Sequence, residues 1–232
     1  MTRNLKSVEE VEGLITIMSN LNNDYVSISP SELVLIGASQ TVGIEDLLSL
    51  IIKQANKDCK IHFTSTYRNN QNINTSFLIN DDSIYNNDFF SFSILNKQSL
   101  MGFIIDIVHQ VETLSLQVLI VEGVEYINDG YIKDFYYALK LIATKYEIAV
   151  FVRVGIKKRC EARGGEMRPR LSDIKNGSLK VDLADKAIFS YRYDRFGFTE
   201  DESGDSVINR LDLIVAKNNS KEIGTILYQL EK

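Results

Sequence analysis

Short apolar runs at Leu33 to Ile36, Lys60 to Phe63, Val118 to Val121, Ile148 to Val152 and Ala187 to Tyr191 set the rhythm of the chain, each bounded by polar or turn residues. Apolar runs of this length without alternation read as strands buried on both faces. Between them, Ile44 to Ala55, Ser99 to Glu112 and Tyr131 to Lys145 repeat apolar residues at three- and four-residue spacing, the period of a helix with one buried face. Strands alternating with helices need crossovers, and right-handed crossovers build a mainly parallel sheet, so the fold class is α/β. Asn209 to Ala216 and Thr225 to Leu230 flank the polar stretch Lys217 to Glu222 and predict a closing antiparallel hairpin. The first thirty residues read as a helix and an extended lead into the first strand. Residues 68–96, rich in Asn, Asp and Ser, read as long surface loops or a short helix and strand. No internal repeat interrupts this order.

Composition narrows the class. At 232 residues with 44% hydrophobic residues the chain can fill the core of one large domain, and with two prolines and thinly spread glycines it has no flexible linker to divide it. Cys59 and Cys160 are isolated thiols without a CxxC or Cys/His cluster, which points away from a disulfide framework or a bound metal and toward a reducing cytosol. The charged N-terminus has no signal-peptide core, and no apolar run is long enough to cross a bilayer. A soluble, cytoplasmic protein with no membrane partner is expected. Net charge −5 and a pI near 5.2 give no global attraction to nucleic acid, so any such contact must be local.

One stretch carries the outline of a phosphate site. From Leu33 to Glu45 (LVLIGASQTVGIE) a strand runs into a small polar turn, Ala38, Ser39, Gln40, Thr41 and Val42, and Gly43 opens an apolar helix, which is the frame of a P-loop. The two positions after that glycine should be Lys and Ser or Thr; they are Ile44 and Glu45. A helix N-terminus still attracts an anion. Glu45 and Asp46 in the first turn oppose one, because like charges about 4 Å apart at an effective dielectric near 20 cost roughly 4 kcal/mol.

A cationic run offers a second surface. Arg153, Lys157, Lys158, Arg159, Arg163, Arg168, Arg170 and Lys175 are interrupted by Glu161, Glu166 and Asp173, and Gly155, Gly164 and Gly165 predict a mobile loop suited to a phosphodiester backbone. The other reading is a solvated charged loop. His62 and His109 stand apart from any metal-binding or catalytic spacing and read as structural histidines.

With this order of elements in hand, Arg168 to Ser178 (RPRLSDIKNGS), Asp182 to Asp185, Ala187 to Arg192 and Leu213 to Lys217 through Gly224 and Thr225 resemble the ATPase domain of DnaB-type replicative helicases. The similarity runs in register from about Glu32 to the C-terminus, with a one-residue shift within Lys175 to Ala184. It divides the chain into a lead-in, residues 1–31, and a RecA-like domain, residues 32–232; the family's N-terminal primase-interacting domain has no counterpart here. By this resemblance the nucleotide turn is Ala38 to Gly43. The P-loop Lys and hydroxyl positions are Ile44 and Glu45, the catalytic Glu falls at Thr66, and the magnesium-organising Asp falls at Glu122. The cations that reach a neighbouring subunit's nucleotide fall at Lys217 and Asn219, where an Arg is expected. The segment that grips single-stranded DNA falls at Lys175, Asn176 and Gly177, with Lys157, Lys158, Arg159, Arg163 and Arg168 around it. Thr cannot act as a base near neutral pH, and loss of the Arg removes the group that stabilises transition-state charge. Glu122 reads equally as a metal-holding acid or as the polar end of a buried strand.

Four positions fail together, so the resemblance implies a pseudo-ATPase without cofactor that binds single-stranded DNA or assembles with itself or a replication protein. Two rival readings follow from the same residues. In one, an ATP-dependent helicase still uses ATP and magnesium through Glu122 and Lys217. In the other, a protein-binding module has kept the fold and neither ligand.

Overall fold

The computed structural model describes residues 14–18, 21, 24–39, 43–55, 59–65, 90–94, 99–124, 132–163, 167–219 and 223–230. Among these residues, ten strands and four α-helices follow in chain order: β1 (Ile15–Met18), β2 (Tyr25–Ile28), β3 (Leu33–Ala38), α1 (Ile44–Lys53), β4 (Ile61–Ser65), β5 (Phe90–Ile94), α2 (Leu100–Leu114), β6 (Val118–Glu122), α3 (Ile132–Tyr146), β7 (Ala149–Arg153), α4 (Gly177–Leu183), β8 (Lys186–Tyr191), β9 (Arg210–Asn218) and β10 (Gly224–Gln229). The strands predicted from the apolar runs and the three predicted helices are all present, with ends shifted by one to two residues. β1 and β2 pair as an antiparallel ribbon, so the lead-in, where described, is a ribbon in place of helix and extended chain.

The other eight strands form one sheet in the order β10-β9-β8-β3-β7-β6-β4-β5. From β8 to β5 the pairs are parallel, and β9 and β10 close the sheet as the antiparallel hairpin that the sequence predicts. Both faces are covered. Val34 and Ile36 of β3 pack with α1 and the β1–β2 ribbon, while Leu33 and Leu35 pack with α2 and α3. Residues alternate between faces along a strand, and here each face is apolar, which is why the run shows no alternation.

Local signals set the helix ends. Ser99 caps α2, its side chain accepting from the Gly102 N–H at 3.1 Å. Gly43 precedes α1 at φ +87°, a left-handed conformation that glycine adopts without a Cβ penalty. β7 lies on one side of β3 and β8 on the other. The chain therefore crosses over the C-terminal end of β3 between residues 154 and 185, at the switch point where open α/β sheets place their ligands.

His62 is structural, as its isolation in the sequence predicts. It is buried opposite Ser91 in the β4–β5 pair, with Nδ1 2.8 Å from Ser91 Oγ and Nε2 2.9 Å from Ser93 Oγ. Ser91 donates to the Ile61 carbonyl, Gln110 Nε2 donates to Ser93 Oγ, and Ser93 donates to Thr64 Oγ1, so both ring nitrogens lie in a side-chain hydrogen-bond network that fixes the ring in place. Burial lowers its pKa from 6.5 to about 4. Between those values the unfolded chain binds a proton that the folded chain does not, so stability falls as pH falls. The loss from this one group reaches about 2 kcal/mol at pH 5 and about 3 kcal/mol below pH 4. Urea unfolding at pH 7 and pH 5 checks this: His62→Gln should lack that part of the decline, and an unchanged decline would remove His62 as its source.

Candidate functional site

Ser39 beyond the end of β3 and Gly43 at the start of α1 flank the switch point, and other side chains of the chain lie against both. Ile44, which the resemblance aligns with the P-loop Lys, is 1% exposed and belongs to the core beneath α1. Glu45 is half-buried in the first turn of α1. Asp46 beside it accepts from Arg192 Nη1 at 2.7 Å, and Arg192 closes a two-point bond on Asp194, Nε to Oδ1 at 2.9 Å and Nη2 to Oδ2 at 2.6 Å. The Arg192 stem runs past Gly43: a Cβ there would lie 3.2 Å from Arg192 Cγ and 3.4 Å from Ser190 Oγ. Burial raises the Asp194 carboxyl, but the Arg192 bonds and the Asn209 N–H outweigh it and hold the group below the usual carboxylate range. The Ser39 hydroxyl donates to Glu161 Oε1. Gln40, Thr41 and Val42 lie outside the described residues, as does Thr66.

At the end of β6, Glu122 is buried and forms an ion pair with Arg153 at the end of the neighbouring strand β7. The acid predicted as a metal organiser or a strand end therefore has a cation of the protein beside it. Ser65, its register partner on β4, is buried with its hydroxyl unpaired among the described residues.

The cationic run divides into an inner and an outer set. Buried Asp173 collects Arg163, accepts the Arg170 N–H at 2.9 Å and lies 3.9 Å from Arg159. Arg168 turns toward β9 and β10, bonding Asp212 at 3.2 Å and Thr225 Oγ1 at 2.9 Å, and Arg210 holds the same Asp212 and Asp201. Burial raises the pKa of Asp212 against the pull of Arg210 and Arg168. Lys157 and Arg159 both donate to the Ser172 carbonyl. Lys158, Arg159, Arg170 and Lys175 present exposed side chains. The segment is pinned to itself: Lys157 N–H donates to Asp173 O at 2.8 Å and Lys175 N–H to Gly155 O at 2.9 Å, and Ile156 bridges Ile174. Where described it is a folded loop, and Gly164 and Gly165 lie outside the described residues. Asn176 adopts φ +51° ahead of α4, and a Cβ on Gly177 would come within 2.8 Å of Ile174 Cβ.

Lys217 is placed by a break in the β8–β9 register between Ala187 and Ile188. Its ammonium donates to the Val181 and Ala184 carbonyls at 2.7 and 2.6 Å, at the C-terminal end of α4. Asn219 is exposed, and its N–H donates to Asp185 O.

The structure thus places Ser39, Glu122 and the inner end of the cationic run at the C-terminal ends of the parallel strands, and leaves Lys217 under α4. Sequence reading missed Arg192, Asp194, Glu161 and the partner role of Arg153. The signal for Arg192 was a lone arginine at a strand end two residues before an acid, a pattern too common to single out.

The match to known proteins agrees with this architecture. A sequence model of the DnaB-like helicase C terminal domain matches residues 116–232. No curated protein matches the chain in sequence. Among solved structures the chain is similar to an ATPase domain (TM-score 0.66, 18% identity, 88% of this chain and 86% of that one). It is similar to a DnaB-like replicative helicase solved for its interactions with primase (TM-score 0.67, 16% identity), covering 86% of this chain and 55%, about half, of that one. A KaiC-like protein from the hyperthermophilic archaeon Pyrococcus horikoshii also shares the fold (TM-score 0.57, 9% identity, 87% and 86%). The fold is RecA-like. With half of its length matched by the family's own model, the chain belongs to the DnaB-like helicase C-terminal domain family.

Proposed function

We propose that this chain is a DnaB-type domain that works in DNA metabolism without hydrolysing ATP, offering its outer cationic surface to single-stranded DNA and its fold to assembly with other chains. One observation carries the reading. Where the family places the phosphate-gripping Lys there is a core side chain, Ile44, and the acid two residues on is held by Arg192. Glu122 paired with Arg153 supports it. These residues do not fit a magnesium nucleotide: the turn supplies no cation, and a carboxylate closes on Ser39. The DNA part rests on Lys158, Arg159, Arg170 and Lys175, since Arg163 and Arg168 turn to Asp173 and Asp212.

A ligand bound only by the folded state must stabilise it, by about 2.7 kcal/mol at a hundred times its dissociation constant. Magnesium ATP at millimolar concentration should leave Tm unchanged, and no phosphate should be released; a rise in Tm would favour a working ATPase. Ile44→Lys with Glu45→Thr should gain nucleotide affinity. In the second arm, the affinity for oligo-dT should fall steeply with salt, with a slope near −0.7 per phosphate contacted, and Lys158→Gln with Lys175→Gln should flatten it. Absence of binding at low salt would leave assembly alone as the role.

A further inference from the structure

Beyond β8 the chain makes an excursion, residues 192–209, before it returns as β9. The tip of the excursion is a fixed turn: Asp201 Oδ1 accepts the Ser203 and Asp205 N–H groups, each at 3.0 Å, and Glu200 bridges Ser206. Arg210 at the start of β9 ties the turn down by donating to Asp201 Oδ2 at 2.8 Å. Between this turn, Arg168 and the β9–β10 hairpin lies a groove of about 570 Å³, within the ordinary range of small-ligand sites. Tyr193 and Leu227 give it apolar surface, and the Arg210 guanidinium stands 5.5 Å from the Tyr193 ring centre.

The hydrogen-bonding groups left over in the groove select a ligand. Arg168 spends Nη2 on Asp212 and Thr225, and Arg210 spends Nε on Asp212 and Nη1 on Asp201. Nε and Nη1 of Arg168 and Nη2 of Arg210 remain as donors without an acceptor among the described residues. Glu202 lines the rim, exposed, and its carboxylate accepts no hydrogen bond among them. These groups converge on one hydroxyl. Burial raises the Tyr193 phenol pKa, Arg168 and Arg210 pull it down, and Asp212 and Glu202 push it up. Two guanidinium groups against three carboxylates, Asp201 included, leave the groove with a negative charge over, which disfavours a polyphosphate.

We propose that this groove is a binding site for guanine, either as a base of a single strand or as the free nucleotide. Among the four DNA bases guanine alone carries two acceptors on one edge, N7 and O6, and two donors, N1–H and the N2 amine, on another. The acceptor edge matches the spare N–H groups of Arg168 and Arg210, and the donor edge matches the Glu202 carboxylate. Adenine would set its N6 amine against the arginine donors. The site uses neither the turn after β3 nor magnesium, so it does not depend on whether ATP binds there.

Titration calorimetry on the full chain without magnesium tests it. GMP should bind about tenfold more tightly than AMP, the discrimination carried by one bidentate pair, and GTP no more tightly than GMP. Glu202→Gln should weaken GMP by about tenfold and leave the Tm of the free protein unchanged, since the side chain is exposed. A dT oligomer carrying a single dG, set against all-dT, separates the two sources: preference for the dG oligomer makes the strand the source, and equal affinity beside a GMP preference makes it the free nucleotide. No preference for GMP over AMP together with none for the dG oligomer would overturn the site, as would undiminished guanine binding in Glu202→Gln.

Discussion

Arg192→Met should lower the folding stability of this protein by about 3 kcal/mol, because it removes the cation from a buried pair and leaves two carboxylates without their partner. Arg192 is 3% exposed, and its guanidinium joins Asp46 of α1 to Asp194 beyond β8. Methionine fills much of the same volume, so the loss reports charge and hydrogen bonding more than packing. Asp46 and Asp194 retain some access to water, which keeps the expected cost at the low end for buried pairs. The pH dependence separates this account from a packing defect. In the intact protein the Asp194 pKa is depressed on folding. That contribution is present above the unfolded carboxylate pKa and is lost as pH falls through the folded one. In Arg192→Met the component should shrink, because only the Asn209 N–H and the Arg195 charge are then left to oppose the burial that raises the Asp194 carboxyl. Urea midpoints at pH 7 and at pH 3 to 4 give both quantities, and a loss below about 1 kcal/mol would show that the clamp contributes little.

Asp173→Asn should cost a similar amount, about 2 to 4 kcal/mol, and do so locally. The Asp173 carboxylate is buried, holds Arg163 and the Arg170 N–H, and lies within reach of Arg159. Asparagine keeps the shape but not the charge, leaving the Arg163 and Arg159 guanidinium groups without the anion they share. The variant should therefore recover part of its stability as salt rises toward 0.5 M, where the screening length is well under 10 Å. The intact protein should show no such recovery. Equal salt responses in the two proteins would mean that Asp173 acts as a hydrogen-bond acceptor and not as a counter-charge.

The elements were legible because hydrophobic period is a property of a few adjacent residues. Val118 to Glu122 reads as a strand from its own five side chains, and so does the helix from Leu100, whose cap Ser99 is its immediate neighbour. That Ile44 and Glu45 follow Gly43, where a P-loop has Lys and Ser or Thr, is likewise read from adjacent residues, since that motif is contiguous. The cationic run was legible as composition, but its division was not. Nothing in the local sequence says that Arg163 and Arg168 turn inward to Asp173 and Asp212 while Lys158 and Lys175 face solvent.

By itself the sequence determined the alternation of strands and helices, the hairpin that closes the sheet, and the absence of a Lys after Gly43, because each is written in neighbouring residues. The tertiary structure alone decided which charges meet. Arg192 and Asp46 stand 146 positions apart, and Ser39 and Glu161 stand 122 apart. Charge carries no period, and an arginine reads the same whether it will be solvated or buried against an acid. Only strand order, which sets β8 beside β3 and carries the chain across the end of that strand, brings these groups within hydrogen-bond distance.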